Sequence, residues 1–105
     1  MIRNQKLYLQ DILDSISKIE KYTRNLKFDK FARDQKTIDA TVRNLTIIGE
    51  AVRNLSKEFK TKHSEIPWSQ MISMRNIVIH EYFGVEEEIL WKTIKEDLLP
   101  PQKIY

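Results

Sequence analysis

The sequence predicts an all-α protein: an up-and-down bundle of four main helices with a short extra helix. Two glycines and three prolines interrupt 105 residues, so few positions force a helix to end. Apolar side chains recur at helical spacings, and the period-two alternation of a half-buried strand is lacking. The length suits one hydrophobic core, and we expect residues 1–105 to form a single helical domain.

The first half of the chain predicts two long helices with a short helical turn between them. Leu9, Ile12, Ile16 and Ile19 step by three or four residues, which predicts a helix over about residues 4–24. The short turn is expected at about residues 29–33. The longest helix is predicted at about residues 35–59 from a heptad seam formed by Ile38, Leu45, Val52 and Phe59, with Ile48 and Leu55 between them. Gly49 within it would allow close approach by another helix.

Two more helices are predicted in the second half. Pro67 suits the first turn of a helix, because its missing N–H is not needed there. Gly84 is expected to end that helix. Glu86, Glu87 and Glu88 then fall in the first turn of a last helix, where the helix dipole favours negative charge. Its expected buried stripe is Ile89, Trp91, Ile94 and Leu98.

Composition excludes several kinds of site. The chain has no cysteine and only two histidines, so neither a disulfide nor a metal-ligand cluster is expected, and no cofactor is implied. Residues 1–6 lack the uninterrupted apolar stretch of a signal peptide. No apolar run approaches the roughly 20 residues needed to span a bilayer. We expect a cytoplasmic protein without membrane contact.

The charge balance permits contact with a polyanion. The formal net charge is +3 and the isoelectric point is near 9.2, which is compatible with nucleic-acid binding. The basic residues concentrate in two groups, one of Lys57, Lys60, Lys62 and His63 and one of Arg24, Lys27, Lys30 and Arg33. Either group could be a solvated face or a phosphate-binding surface, and the sequence leaves both interpretations open.

An Arg-Asn-x3-His-x-Tyr string is the clearest candidate site. On an ideal helix, with about 100° per residue, Arg75 and Tyr82 fall within an apolar sector. Asn76 and His80, one turn apart, share the polar sector. A cation directed into an apolar sector is costly unless it is paired or opens onto a cleft. The string therefore predicts either a buried ion pair or a functional cleft.

The functional interpretation is RNA cleavage without a metal. His80 has an ordinary pKa of about 6.5 and could take the proton from a ribose 2′-hydroxyl, which then attacks the adjacent phosphorus. Arg75 could hold the phosphate oxygens in a bidentate fork and neutralise their growing charge. The products would be a 2′,3′-cyclic phosphate and a 5′-hydroxyl. Asn76 would support by binding the phosphate or fixing the imidazole.

The structural interpretation assigns the same residues to packing. Arg75 would close a salt bridge, with Glu50 as the first candidate partner and Asp39 as the second. His80 would be a satisfied core histidine and Tyr82 ordinary packing. Geometry also bears on catalysis, because Arg75 and His80 lie about 140° apart on an ideal helix and do not share a face.

The string resembles the signature of HEPN domains, and it is most similar to the HepT-like group. The likeness extends to Ile66-Pro67-Trp68 and Met71-Ile72-Ser73-Met74 before it, and to residues 45–56, which resemble the long third helix of that group. The resemblance implies a HEPN-like bundle that forms a homodimer, in which two R-x4-H helices meet and supply two arginines and two histidines to one cleft. It also implies an endoribonuclease toxin of a type VII-like toxin–antitoxin system, with RNA as substrate.

The same resemblance implies a partner. In the HepT-like group the toxin is paired with a minimal nucleotidyltransferase antitoxin, which transfers AMP to the tyrosine at the position of Tyr82 and silences the ribonuclease. Two other functions remain open. The chain could be a non-catalytic HEPN module that docks a nucleotidyltransferase or a nucleotide. It could also be a plain helical interaction domain in which Arg75 and His80 are core polar groups.

Overall fold

The computed structural model describes residues 4–73 and 87–98, which are helical over most of their length. The helices are α1 (Gln5–Thr23), α2 (Phe28–Ala32), α3 (Gln35–Asn54), α4 (Lys57–Lys62) and α6 (Glu87–Lys92), and α6 continues into a π-helical turn (Thr93–Leu98). Between α4 and α6, helix α5 starts at residue 68 and is described to residue 73. These ranges contain no strand, so the predicted all-α fold is confirmed. None of their helices is both long and apolar enough to cross a membrane.

Helices α1 and α3 begin at side-chain caps. The Asn4 side-chain oxygen accepts a hydrogen bond from the Lys6 backbone N–H at 2.8 Å. Asp34 accepts hydrogen bonds from both the backbone N–H and the hydroxyl of Thr37, at 3.1 and 2.7 Å. Each cap satisfies an N–H group that has no partner inside its own helix. The predicted starts at residues 4 and 35 are therefore close to those observed.

The core forms where α1 packs along α3, the most extensive helix pair in the described residues. On α1, Ile12, Ile16 and Ile19 are fully buried. The α3 seam is buried as predicted, through Ile38, Leu45, Ile48 and Val52. Gly49 is also buried on α3, which agrees with the predicted close approach of a neighbouring helix.

The predicted longest helix, 35–59, is two helices. Helix α3 ends at Asn54, and Leu55 has an extended backbone with ψ of 144°. Ser56 then caps α4, its hydroxyl oxygen accepting the Phe59 backbone N–H at 3.1 Å. The Gln5 side chain accepts the Ser56 N–H at 2.7 Å and donates to the Asn54 carbonyl at 3.3 Å. The apolar seam continues across a backbone break that these contacts stabilise.

The predicted buried stripe of the last helix is confirmed at Ile94 and wrong at Ile89. Leu90 and Ile94 are buried, whereas Ile89, which was expected in the buried stripe, is 51% exposed. Trp91 is partly buried against Phe31, with ring centres 4.9 Å apart. This contact with α2 sets the rotation of α6, because Leu90 and Ile94 then lie one turn apart on the core side. The side chain of Leu98 and the residues Gly84 and Glu86 lie outside the described residues.

Candidate functional site

The start of α5 leads directly into the Arg75–Tyr82 string. The Met71 N–H donates to the Pro67 carbonyl at 3.1 Å, which closes the first turn of the helix. Pro67 thus stands at the beginning of α5, as predicted. Met71 is buried, Ile72 is partly buried and Ser73 is exposed. The predicted site residues Arg75, Asn76, His80 and Tyr82 lie outside the described residues, so their assignment stays a prediction.

Trp68 fixes the beginning of α5 against α4. Its indole N–H lies 3.1 Å from the Lys60 carbonyl and 3.0 Å from the His63 carbonyl, and it donates to both. The indole is 8% exposed. These carbonyls lie at the end of α4, where helical N–H donors are lacking. One buried side chain therefore caps α4 and orients the helix that leads to Arg75.

An aromatic cluster packs around this junction. The Phe59 ring centre lies 6.2 Å from that of Trp68 and 4.6 Å from that of His63. The His63 side chain is 45% exposed, and its ring packs on Phe59. Its Nδ1 is 3.7 Å from a Glu65 carboxylate oxygen. His63 is thus a packing residue of the α4–α5 junction.

An open groove lies between α4 and the start of α5. We call it the α4–α5 groove; it has a volume of about 500 Å³ and is lined by Lys57, Lys60, Thr61, Ser64, Ile66, Pro67, Trp68 and Ser69. The sequence singled out two of its lysines but missed the hydroxyl groups beside them. Part of the signal was present in the spacing, since residues 57, 60 and 61 recur at i, i+3 and i+4, which is one face of a helix, while Ser64 lies in the turn that follows α4.

The two carboxylates considered as partners of Arg75 lie on α3. Glu50 is partly buried, and its nearer carboxylate oxygen is 3.9 Å from an Arg53 guanidinium nitrogen. It also borders a groove of about 220 Å³ with Tyr8, Asp11, Thr46, Ile47 and Ala51. Asp39 is exposed and accepts a hydrogen bond from Gln35 at 2.7 Å. Glu50 is thus the less exposed residue of the two, and the pairing of either carboxylate with Arg75 stays a prediction.

The two arginines of the second basic group make local contacts. Arg24 makes a bidentate ion pair with Glu20, at 3.0 and 2.8 Å. Hydrogen bonding by Arg24 lowers the pKa of the Glu20 carboxyl, and the same hydrogen bond raises the pKa of Arg24. Arg33 donates to the Asp29 carbonyl at 3.2 Å. Arg24 and Arg33 are thus held by contacts at the ends of α1 and α2, whereas Lys27 and Lys30 are exposed.

Metal chemistry receives no support from the described residues. Over residues 4–73 and 87–98, no group of three or more histidine, aspartate or glutamate side chains is arranged to hold a metal ion. The sequence has no cysteine to supply a thiolate. The described part of the chain therefore offers cationic and hydroxyl groups as its candidate ligands for an anion.

Known proteins resemble this chain over most of its length. Residues 12–104 match a family described as "Ribonuclease HepT-like". The chain is 50% identical over 98 residues to "Probable ribonuclease HepT" of Thermococcus cleftensis, covering 93% of this chain and 89% of that protein. It is 41% identical over 97 residues to "Putative RNase TTE0752" of Caldanaerobacter subterraneus subsp. tengcongensis, covering 92% and 87%.

A third relative is a longer protein. The chain is 42% identical over 98 residues to "Gamma-glutamylcyclotransferase and putative RNase MJ0434" of Methanocaldococcus jannaschii, and the match covers 93% of this chain but 44% of that protein. No solved structure matches the chain. The likeness to known proteins thus spans the predicted site, from the core of α1 to beyond α6.

Proposed function

The chain belongs to the HepT-like ribonuclease family, and from this premise we propose that it is a metal-independent endoribonuclease, the toxin of a type VII-like toxin–antitoxin pair. One observation carries the proposal: the Arg75-Asn76-x3-His80-x-Tyr82 string lies inside the family match at residues 12–104. The string contains a group that can move a proton near neutral pH and a cation that fits a phosphate.

The proposed reaction is an in-line displacement within the RNA. His80 removes the proton from the 2′-hydroxyl, and the 2′-oxygen forms a bond to phosphorus while the bond from phosphorus to the 5′-oxygen breaks. A second histidine gives a proton to the leaving 5′-oxygen. Arg75 binds the non-bridging oxygens, and Asn76 supports the phosphate or the imidazole. DNA lacks the 2′-hydroxyl and is not a substrate.

A homodimer supplies the second histidine in this proposal. Arg75 and His80 are separated by about 140° on an ideal helix, so a single helix does not present both to one phosphate on one face. Two copies of the helix meeting across a symmetric interface would place both kinds of group around one cleft. The anchoring of α5 by Trp68 supports the proposal, since a catalytic helix needs a rigid base.

Cleavage in the absence of free metal tests the ribonuclease proposal. We expect purified wild-type protein to cut RNA in excess EDTA and to leave 2′,3′-cyclic phosphate and 5′-hydroxyl ends. His80→Ala should lose about 10²-fold or more in rate, because it removes the proposed base. The readout is sequencing of the cleavage ends together with phosphatase sensitivity. Activity that disappears in EDTA and returns with a divalent ion would contradict the chemistry, and a folded wild type with no cleavage would favour a non-catalytic module.

We further propose that a minimal nucleotidyltransferase silences the protein by transferring AMP to Tyr82. The phenol oxygen would attack the α-phosphorus of ATP, with pyrophosphate leaving and the phenolic proton passing to solvent or base. Tyr82 and Arg75 are seven residues apart, two turns on an ideal helix, and so share a stripe. An AMP group on Tyr82 would bring bulk and negative charge to the cation that must bind RNA phosphate.

Tyr82→Phe separates cleavage from silencing. The variant keeps the aromatic ring and loses the oxygen that would accept AMP, so it should cut RNA at the wild-type rate and resist inactivation by the nucleotidyltransferase and ATP. Intact-protein mass spectrometry should show one added AMP on the wild type and none on the variant. Equal modification of both proteins would assign the acceptor to another hydroxyl. Silencing of an unmodified variant would mean that the antitoxin acts by binding.

A further inference from the structure

The α4–α5 groove carries a positive charge without a local carboxylate partner. Lys57 is exposed, and within residues 4–73 and 87–98 no carboxylate pairs with its ammonium group. This differs from Arg24, whose guanidinium is held by Glu20 at 2.8 Å. An ammonium group at the wall of an open groove is available to an anionic ligand.

The remaining polar groups of the groove suit phosphate oxygens. Ser64 and Ser69 are exposed, and both line the same groove, Ser64 from the turn after α4 and Ser69 from α5. Lys60 is partly buried and donates to the Val52 carbonyl at 3.1 Å, which leaves two of its three N–H donors for other partners. Hydroxyl and ammonium donors on one surface bind the backbone of a nucleic acid without reading its sequence.

One residue that lines the groove also anchors the helix that leads to the proposed catalytic residues. Trp68 lines the groove and also hydrogen-bonds the carbonyls of Lys60 and His63. Ser69 precedes Arg75 by six residues, about 9 Å along an ideal helix. The two positions also differ by about 120° of rotation on an ideal helix. A strand of RNA that passes round the helix from Arg75 would therefore bring the phosphates next to the scissile one to this surface.

We propose that the α4–α5 groove binds the sugar–phosphate backbone of single-stranded RNA beside the scissile bond, with Lys57 as its main cation. The proposal rests on the ribonuclease function proposed above and extends it, because it assigns substrate binding to a surface outside the Arg75–Tyr82 string. The contact is electrostatic, so it should strengthen binding to RNA of any sequence and weaken as salt concentration rises.

Helix α4 offers a matched pair of variants for the test. Lys57→Gln and Lys62→Gln remove the same charge from exposed positions of the same helix, but only Lys57 lines the groove. The probe is a fluorescein-labelled 12-nucleotide single-stranded RNA with 2′-O-methyl groups throughout, which blocks the proposed nucleophile. Fluorescence anisotropy of wild-type protein and each variant is measured across a range of salt concentrations, and cleavage of unmodified RNA is measured separately.

We expect Lys57→Gln to weaken probe binding about three- to tenfold at low salt and to reduce the slope of log affinity against log salt by about 0.7, the value for one phosphate contact on a single strand. Lys62→Gln should change affinity less than twofold. Equal losses in the two variants, or no loss in Lys57→Gln, would overturn the proposal, as would a wild type that does not bind the probe. If only Lys57→Gln loses affinity for the probe and the wild type does not cleave RNA, the groove proposal is supported and the ribonuclease proposal is refuted.

Discussion

Single side chains decide where the helices of this protein begin. Asp34 is an example, because its carboxylate receives two hydrogen bonds from Thr37 at the start of α3. Asn4 and Ser56 fill the same role for α1 and α4. Aspartate, asparagine and serine favour this position because their side-chain oxygens can accept the N–H groups that the first helical turn leaves without partners. The starts of α1 and α3 are readable from sequence, since a short polar residue precedes each apolar pattern, whereas Ser56 precedes the polar segment of α4 and its cap was missed.

The Asp34 cap should make stability depend on pH. The hydrogen bonds from Thr37 lower the pKa of the Asp34 carboxyl in the folded protein. A group whose pKa is lowered by folding stabilises the protein at pH above its unfolded pKa, about 3.9 for aspartate, and this stabilisation is lost as pH falls through the folded pKa. Asp34→Asn keeps a cap oxygen but does not titrate. The wild type should therefore unfold at a higher temperature than Asp34→Asn at neutral pH, and the difference should shrink below about pH 4.

Thermal unfolding followed by circular dichroism measures this difference. Asp34→Ala is the companion variant, because it removes the cap oxygen as well as the charge and should be less stable than Asp34→Asn across the whole pH range. A constant difference between wild type and Asp34→Asn from neutral to acidic pH would show that the charge of Asp34 does not contribute.

At the scale of whole helices, local apolar spacing was sufficient for some boundaries and insufficient for others. The predicted first helix, 4–24, agrees closely with α1 at Gln5–Thr23, because its spacing and its cap are both local. The break between α3 and α4 was missed, because the apolar seam continues through Leu55 while the backbone does not. The contacts that stabilise the break come from Gln5, some 50 residues away in sequence. Such a contact is visible only once α1 lies beside α3.

The rotation of α6 shows the same limit. Ile89 and Leu90 are neighbours of similar hydrophobicity, and the sequence alone favoured Ile89 for the core. The packing of Trp91 on Phe31 instead places Leu90 inside and leaves Ile89 exposed. Lys95 lies 4.7 Å from the centre of the Trp91 ring and donates to the Thr23 carbonyl at 3.4 Å, which ties the π-helical turn to α1. Tertiary contacts thus decide whether Ile89 or Leu90 is buried, because the apolar periodicity of the sequence does not distinguish the two positions.

Trp68→Phe should loosen the junction of α4 and α5. The substitution keeps an aromatic ring in the buried site but removes the N–H that donates to the carbonyls of Lys60 and His63. We expect the free energy of unfolding to fall by about 1–3 kcal/mol, the cost of leaving buried polar groups without a donor. Urea denaturation followed by circular dichroism measures the change.

An exposed aromatic residue provides the control for that experiment. Tyr22 is 39% exposed, so Tyr22→Phe removes a hydroxyl from a solvent-accessible ring and should change stability by less than about 0.5 kcal/mol. Comparable losses in Trp68→Phe and Tyr22→Phe would mean that the indole N–H of Trp68 does not hold the junction. A large loss confined to Trp68→Phe would support its role as the base of α5.

At the scale of the whole molecule, a single copy of the helical bundle explains the observed fold but does not by itself form the complete proposed site. The radius of gyration is 13.6 Å, close to the value for a compact chain of this length. The sequence identified the Arg75–Tyr82 string through its likeness to a family, because R-x4-H spacing alone occurs by chance. It did not supply the arrangement of Arg75 and His80 around a phosphate. In the proposed homodimer, that arrangement would depend on how two copies of the chain meet, and an interface between copies leaves no periodic signal of its own.

Mixing two inactive variants tests whether the proposed cleft is shared between protomers. Arg75→Ala and His80→Ala should each be nearly inactive alone, since each homodimer lacks one kind of catalytic group. In a mixed dimer, one protomer retains Arg75 and the other retains His80. If the two helices face each other across the symmetry axis, the shared cleft regains one arginine and one histidine. Cleavage by the mixture should then exceed the sum of the two separate activities, and it should rise as subunits exchange.

The mixing experiment needs evidence that exchange has occurred. Native mass spectrometry of protomers with different tags should show the mixed dimer forming over the same period as activity returns. The double variant Arg75→Ala/His80→Ala, mixed with wild type, is the control. Its mixed dimer carries Arg75 and His80 on the same protomer, so its activity shows the effect of exchange with an inactive partner. If mixed dimers form and remain as inactive as their parents while the dimer of wild type with the double variant cleaves RNA, Arg75 and His80 must act from the same protomer. If both kinds of dimer are inactive, the reaction requires both histidines. The helix would then have to depart from ideal geometry between them, since about 140° separates the two side chains on a regular helix.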